Sequence, residues 1–188
     1  MNLSRVIGLL VIQCLFFSGC QIFRDTSVST TRASVDAKAR AALRTLYATM
    51  PAAQQLSKDA KAILVFPGVL KAGFIGRAQY GTGALMQRGK TMGYYNLVAG
   101  SYGLQAGVQS FDYAMFFMKD SALNYLDQSS GWEVGVGPSV VVVDTGLAKS
   151  LTTTTARSDV YAFIFGQQGL MGGLGIQGSK ITRITLEN

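Results

Sequence analysis

Beyond Lys61 the hydrophobic pattern alternates with a period near two, and glycine recurs inside the alternation. Gly76, Gly81, Gly83, Gly93, Gly103, Gly107, Gly135, Gly172, Gly173 and Gly175 all fall in apolar stretches that read as strands. Glycine weakens a strand unless something else needs the room a side chain would take. Its repeated use therefore implies strong curvature, with bulges or close backbone approach where side chains would collide. Glycine is 22 of 188 residues, about 12 % against a usual level of roughly 7 %, and it shows no triplet period. The expected fold is α+β: N-terminal helices packed on a strongly curved, Gly-rich, mostly antiparallel sheet or a partly closed barrel.

The helices come first. Val35, Ala39, Ala42, Leu43, Leu46, Tyr47 and Met50 recur at three- and four-residue spacing, the apolar stripe of a helix. Ser34 and Asp36 stand where a cap and a first-turn acid belong, and Pro51 opens a second short helix through about Ala60. Ala62–Phe66 reads as a strand closed by Pro67-Gly68. Ile75–Met86 and Thr91–Val98 flank Gln87-Arg88-Gly89-Lys90, a hairpin turn. In SYGLQAGVQS (101–110) Tyr102, Leu104, Ala106 and Val108 form an apolar face opposite glycines and amides. Further strands are expected at Tyr113–Met118, Trp132–Val136, Ser139–Val143, Asp159–Phe165 and Leu170–Gly178, with a short helix at Ser121–Gln128.

The N-terminus reads as an address. Arg5 precedes an apolar run from Val6 to Phe17, twelve residues interrupted by Gln13. A bilayer span needs roughly 20 residues, so this is the length of a signal-peptide core. Ser18-Gly19-Cys20 resembles the lipobox of bacterial lipoproteins, with Phe17 where Leu is usual. The resemblance implies a signal at 1–19, a lipidated Cys20, a Ser/Thr-rich tether through residue 32 and one domain over 33–188. Several acyl chains on one Cys give a stable anchor, whereas one chain binds only marginally. Gln21, not Asp, follows Cys20, which by the sorting rule of such lipoproteins points to the outer membrane, facing the periplasm. A transmembrane barrel is the rival architecture; the lipobox, the two helices and the ending ITLEN all argue against it.

Catalytic patterns are nearly empty. The chain has no His, which removes the commonest general base and metal ligand together. GLGIQG (173–178) has the spacing of a dinucleotide fingerprint, but too little chain follows to build the helix and acidic residue that fingerprint needs. Asp112, Asp120 and Asp127 read as surface helix termini, Glu133 beside Trp132 as a strand-edge residue, and Thr152–Thr155 as a loop or edge. No enzyme, cofactor or metal is expected. Seventeen Lys and Arg oppose ten Asp and Glu, a net charge of +7. Nucleic acid would suit that number but not an envelope compartment. Anionic phospholipid fits better, at about 1 kcal/mol per basic side chain near the surface.

Four stretches in order, AKAILVFPGVLKAGF (60–74), GYYNLVAGSYGLQAGVQSFDYAMFFM (93–118), GWEVGVGPSV (131–140) and GQQGLMGGLGIQGSKI (166–181), resemble the SYLF domain family across roughly residues 35–188. Members in eukaryotes bind phosphoinositide membranes, partly through a basic amphipathic N-terminal segment, and some bind actin. The bacterial branch is of lipoproteins linked to lipid binding. The resemblance makes Lys71 and Gly169–Gly173 fold signatures; Gln167, Gln168 and Gln177 stand where the family often has charges. It also implies a headgroup role for Arg32, Lys38, Arg40 and Arg44, which lie off the apolar stripe of the first helix. The expected function is lipid binding without catalysis, tethered at Cys20. The alternative is an adaptor lipoprotein that binds a protein partner in the envelope.

Overall fold

A computed structural model describes residues 30–73, 76–102, 107–128, 131–143, 157–169 and 179–188. Helix α1 (Arg32–Thr49) begins at Thr31, whose hydroxyl accepts from the Ser34 amide at 3.3 Å. The cap is thus three residues earlier than the sequence suggests, and Arg32 is already helical rather than part of the tether. Asp36 lies past the first turn and accepts from Thr91 and Tyr94 instead. Helix α2 (Pro51–Ser57) starts on its proline as expected but stops short of Ala60.

Eight strands follow among the described residues: β1 (Ala62–Gly73), β2 (Gly76–Gln87), β3 (Lys90–Tyr102), β4 (Gly107–Phe117), β5 (Trp132–Glu133), β6 (Val140–Val143), β7 (Val160–Gly169) and β8 (Ser179–Ile184). A short helix α3 (Asp120–Leu123), continued by a 3-10 turn, separates β4 from β5. The strands form one sheet in the order β5-β8-β3-β2-β1-β4-β7-β6, and only β6 against β7 is parallel. The β2–β3 hairpin closes at Arg88-Gly89, both with positive φ (50° and 77°), the two-residue turn whose twist suits a hairpin.

The sheet is curled into a half-barrel. Phe117 of β4 and Trp132 of β5 have ring centroids 5.8 Å apart, although four strands lie between theirs. Flat pleating would separate those strands by about 24 Å at roughly 4.8 Å per step. The inner face carries Leu64, Phe66, Val69, Tyr95, Leu97, Tyr113, Met115 and Ile181, closed by Trp132 and Leu126. Helices α1 and α2 cover part of the outer face, where Val35, Ala39, Leu46 and Leu56 meet Val65, Ala84, Phe116 and Phe163.

Two glycines make the curl possible. A Cβ at Gly81 would stand 2.8 Å from Val69 Cγ2, and one at Gly83 would collide with the Val65 carbonyl oxygen and the Phe66 ring. Phe66 in turn stacks on Tyr113 across β1 and β4, centroids 6.2 Å apart. At the far end of the sheet, Asp159 fastens the crossover into the parallel pair. It accepts from the Ser139 amide and hydroxyl and pairs with Lys119 at 2.7 Å. Those bonds, Lys119 first, hold its carboxyl down at about 2.

Several elements differ from the sequence reading. Pro67-Gly68 does not end β1 but forms a bulge inside it, where the register shifts against both β2 and β4. In β4 the alternation set by buried Phe111 and Tyr113 carries Gln109 inward and leaves Val108, from the apolar face of the sequence reading, 60 % exposed. The strand expected over Trp132–Val136 pairs only at Trp132 and Glu133 before the chain turns. Strand β8 carries no apolar run, with Ile181 its one fully buried apolar side chain beside the buried Ser179, and the sequence reading missed it. The strand expected at Leu170–Gly178, Gly173 and the run at Thr152–Thr155 lie outside the described residues.

Replacing Gly83 with alanine should destabilise the domain by roughly 1–3 kcal/mol, since the new carbon meets backbone that cannot yield cheaply. Thermal melting checks it. An unchanged midpoint would show that β1 and β2 are not so closely packed there.

Candidate functional site: the outer face beside helix α1

The outer face divides at the bulge. On one side of it, α1 covers the sheet. On the other, pairing sets Val98 of β3 beside Tyr80 of β2, Tyr80 beside Leu70 of β1, and Leu70 beside Ser110 of β4. Val98, Tyr80 and Leu70 are 52 %, 53 % and 49 % exposed, and Val108, which pairs with Ala72 one row on, is still more open. Single exposed apolar residues are ordinary on a protein surface, whereas a contiguous patch on one sheet face marks an interaction surface. Lys180 borders the patch beyond Val98 and Gln168 beyond Ser110. The Tyr80 hydroxyl donates to Asn96 Oδ1 at 3.3 Å and gives the patch one polar tether.

Between helix and patch lies an open cleft of about 430 Å³. Its helix wall is Lys38, Ala41, Ala42 and Thr45; its sheet wall is Pro67, Gly68 and Asp112. The bulge shapes the sheet wall. Gly68 has a positive φ of 63°, which turns its amide towards β4, where Asp112 Oδ1 accepts it at 2.8 Å. Asp112 is therefore a mid-strand carboxylate, not the helix terminus that its spacing with Asp120 and Asp127 suggests. Lys38 makes no ion pair or hydrogen bond among the described residues.

The four basic residues singled out in the sequence are all exposed, yet they do not share one face. Arg32 is tied to the C-terminal strand's exit, its Nε donating to the Leu186 carbonyl at 2.8 Å. Arg40 donates to the Gly89 carbonyl at 3.1 Å and lies 4.0 Å from Asp36, so it braces α1 on the β2–β3 turn. Lys38 lies on the opposite flank of the helix, over the cleft. Arg44 points away from the packed stripe with no partner among the described residues. Cys20 lies outside the described residues.

Lys71 is on the inner face at 2 % exposure, beside Gln79 on β2 and Gln109 on β4, and has a partner of its own. Glu133 is an exposed member of β5, paired with Lys180 on β8. Tyr95 is pushed up to about 12, first by burial and then by the Asp127 carboxylate it donates to. Among the described residues no group of three or more His, Cys, Asp or Glu is placed to hold a metal ion.

Compared with known families, residues 98–188 match the one described as Ysc84, Las17-binding protein actin regulator. That stretch of the chain is a Ysc84 (SYLF) domain match. It includes the last five residues of β3 and everything from β4 to β8, and leaves AKAILVFPGVLKAGF outside. The fold still extends further back than the Ysc84 match. β1 and β2 lie between β3 and β4 in the sheet, so the matched strands have no continuous ladder without them. No curated protein matches the chain.

The split between the arginines is testable. Arg40→Glu should lower the melting temperature, because it brings a second carboxylate beside Asp36 and removes the bond to Gly89. Arg44→Glu should change stability by no more than about 0.5 kcal/mol and leave the melting temperature close to that of wild type, as surface substitutions without partners do. Equal melting of the two variants would contradict the bracing role.

Proposed function

We propose that this chain is a non-enzymatic, lipid-anchored protein of the bacterial cell envelope whose Ysc84-type domain binds lipid at the membrane surface. The observation that carries the reading is the contiguous apolar patch of Leu70, Tyr80, Val98 and Val108 on a sheet face that α1 leaves uncovered. Apolar side chains with a tyrosine among them suit a bilayer interface, where one end of the ring is greasy and the other wet. Lys38 over the cleft and Lys180 beyond Val98 are exposed beside this face, Arg44 is exposed on the solvent side of α1, and all three attract anionic headgroups. The family description is of a binding protein, which supports binding rather than chemistry. Cys20 is the proposed point of attachment, in the outer membrane and facing the periplasm, with anionic phospholipid as the partner.

Residues 30–188 should bind anionic vesicles more tightly than neutral ones. Salt should weaken that binding, since the screening length falls from about 10 Å at 0.1 M to about 3 Å at 1 M. Lys38→Glu with Arg44→Glu should cost affinity without lowering the melting temperature. Absence of binding to any vesicle would overturn the lipid reading and favour an adaptor that holds a protein partner. The anchor has its own test. Cys20→Ser should abolish incorporation of a fatty-acid label, and retained label would refute the attachment site.

A further inference from the structure

We infer that the cleft between α1 and the bulge is a headgroup site for a zwitterionic phospholipid, with its acyl chains laid along the apolar patch. The inference rests on the lipid-binding reading and adds to it: anionic lipid attracts the exposed cations of the domain to the membrane surface, and the cleft then holds one zwitterionic lipid of that membrane. Two observations meet there. The first is charge: the cleft sets one cation, Lys38, and one carboxylate, Asp112, on opposite walls, and they form no ion pair with each other. Asp112 spends one oxygen on the Gly68 amide, which fixes the carboxylate in place and leaves its second oxygen without a hydrogen bond among the described residues. A ligand that carries both a phosphate and an ammonium answers both walls at once. A purely anionic headgroup answers Lys38 and is repelled by Asp112.

The second observation is continuity. Asp112, Ser110 and Val108 occupy alternate positions on the same face of β4, so the cleft runs into the patch at about 6.6 Å per pair of residues. Leu70 lies beside Ser110 and extends the apolar floor sideways to Tyr80. A polar socket that opens directly onto an apolar floor is the shape of an amphiphile. Phosphatidylethanolamine has the required chemistry: a phosphate for Lys38, an ammonium with three donors for Asp112 and acyl chains for Leu70 and Val108.

Native mass spectrometry of the full chain, released from uncharged maltoside micelles, tests this. The probes are equal amounts of phosphatidylethanolamine and phosphatidylglycerol with the same acyl chains, and glycerophosphoethanolamine as the chainless headgroup. The ethanolamine lipid should exceed the glycerol lipid about tenfold in bound adduct, the scale of one charge-assisted hydrogen bond. Asp112→Asn keeps an oxygen for the Gly68 amide and should erase that preference. Lys38→Gln should lower both adducts, and Leu70→Ser should lower the diacyl adduct while glycerophosphoethanolamine stays as it was. Equal adducts in the wild type, or a preference that survives Asp112→Asn, would overturn the headgroup site and leave the broader lipid reading standing. Glycerophosphoethanolamine bound as fully as the diacyl lipid would overturn the role of the patch. No adduct with any lipid would overturn both readings together.

Discussion

The close approach of β1 to β2 is the constraint on which the architecture depends. Gly81 and Gly83 leave space that Val69, Phe66 and the Val65 carbonyl occupy, and without that space the two strands could not curl. Curling brings β5 back towards β4, so that Trp132 reaches Phe117 and closes one end of the half-barrel. The inner face is thereby filled with its own side chains: Phe66, Tyr113, Met115, Leu97 and Trp132 are all essentially inaccessible. Aromatic residues bury 150–250 Å² each and dominate a core of this kind. Because the described interior is packed rather than hollow, ligand chemistry is pushed to the outside of the sheet.

The bulge at Pro67-Gly68 then divides that outside. It breaks the alternation of β1, so that Val65 faces outward under α1 and Leu70 faces outward beyond the helix. The Gly68 amide and Asp112 lock the bulge, and the same bond holds a carboxylate beside the helix flank that carries Lys38. One local departure from regular pleating therefore ends the hydrophobic contact with α1, shapes the cleft and exposes the patch. The Thr31 cap and the Arg40 brace on Gly89 fix where α1 lies, and with it the width of the cleft.

Much of this architecture was legible from the residues. Recurrent glycine in period-two segments indicated the curled sheet, the three-and-four spacing indicated α1, and Arg88-Gly89 indicated the hairpin. What escaped was tertiary in origin. Pro67-Gly68 carries the same signal whether it ends a strand or bulges within one, and only pairing with β4 decides between them. Reading it as an end hid the outward turn of Leu70. Asp112 looked like a surface acid because its partner, the Gly68 amide, is 44 residues away in sequence. The basic residues of α1 were visible as a set, but Arg40 and Lys38 separate once the hairpin turn and the bulge take opposite flanks of the helix. Strand β8 offers one fully buried apolar side chain, too few for periodicity to register.

The most direct test of the central claim is hydrogen–deuterium exchange of residues 30–188 with and without vesicles that contain anionic and ethanolamine lipids. The account predicts vesicle-induced protection concentrated in the bulge and the outer rows of β1, β2 and β4, about residues 67–80 and 108–112, together with the Lys38–Thr45 face of α1. Protection confined to β5, β6 and the crossover at Asp159, or none anywhere, would contradict it.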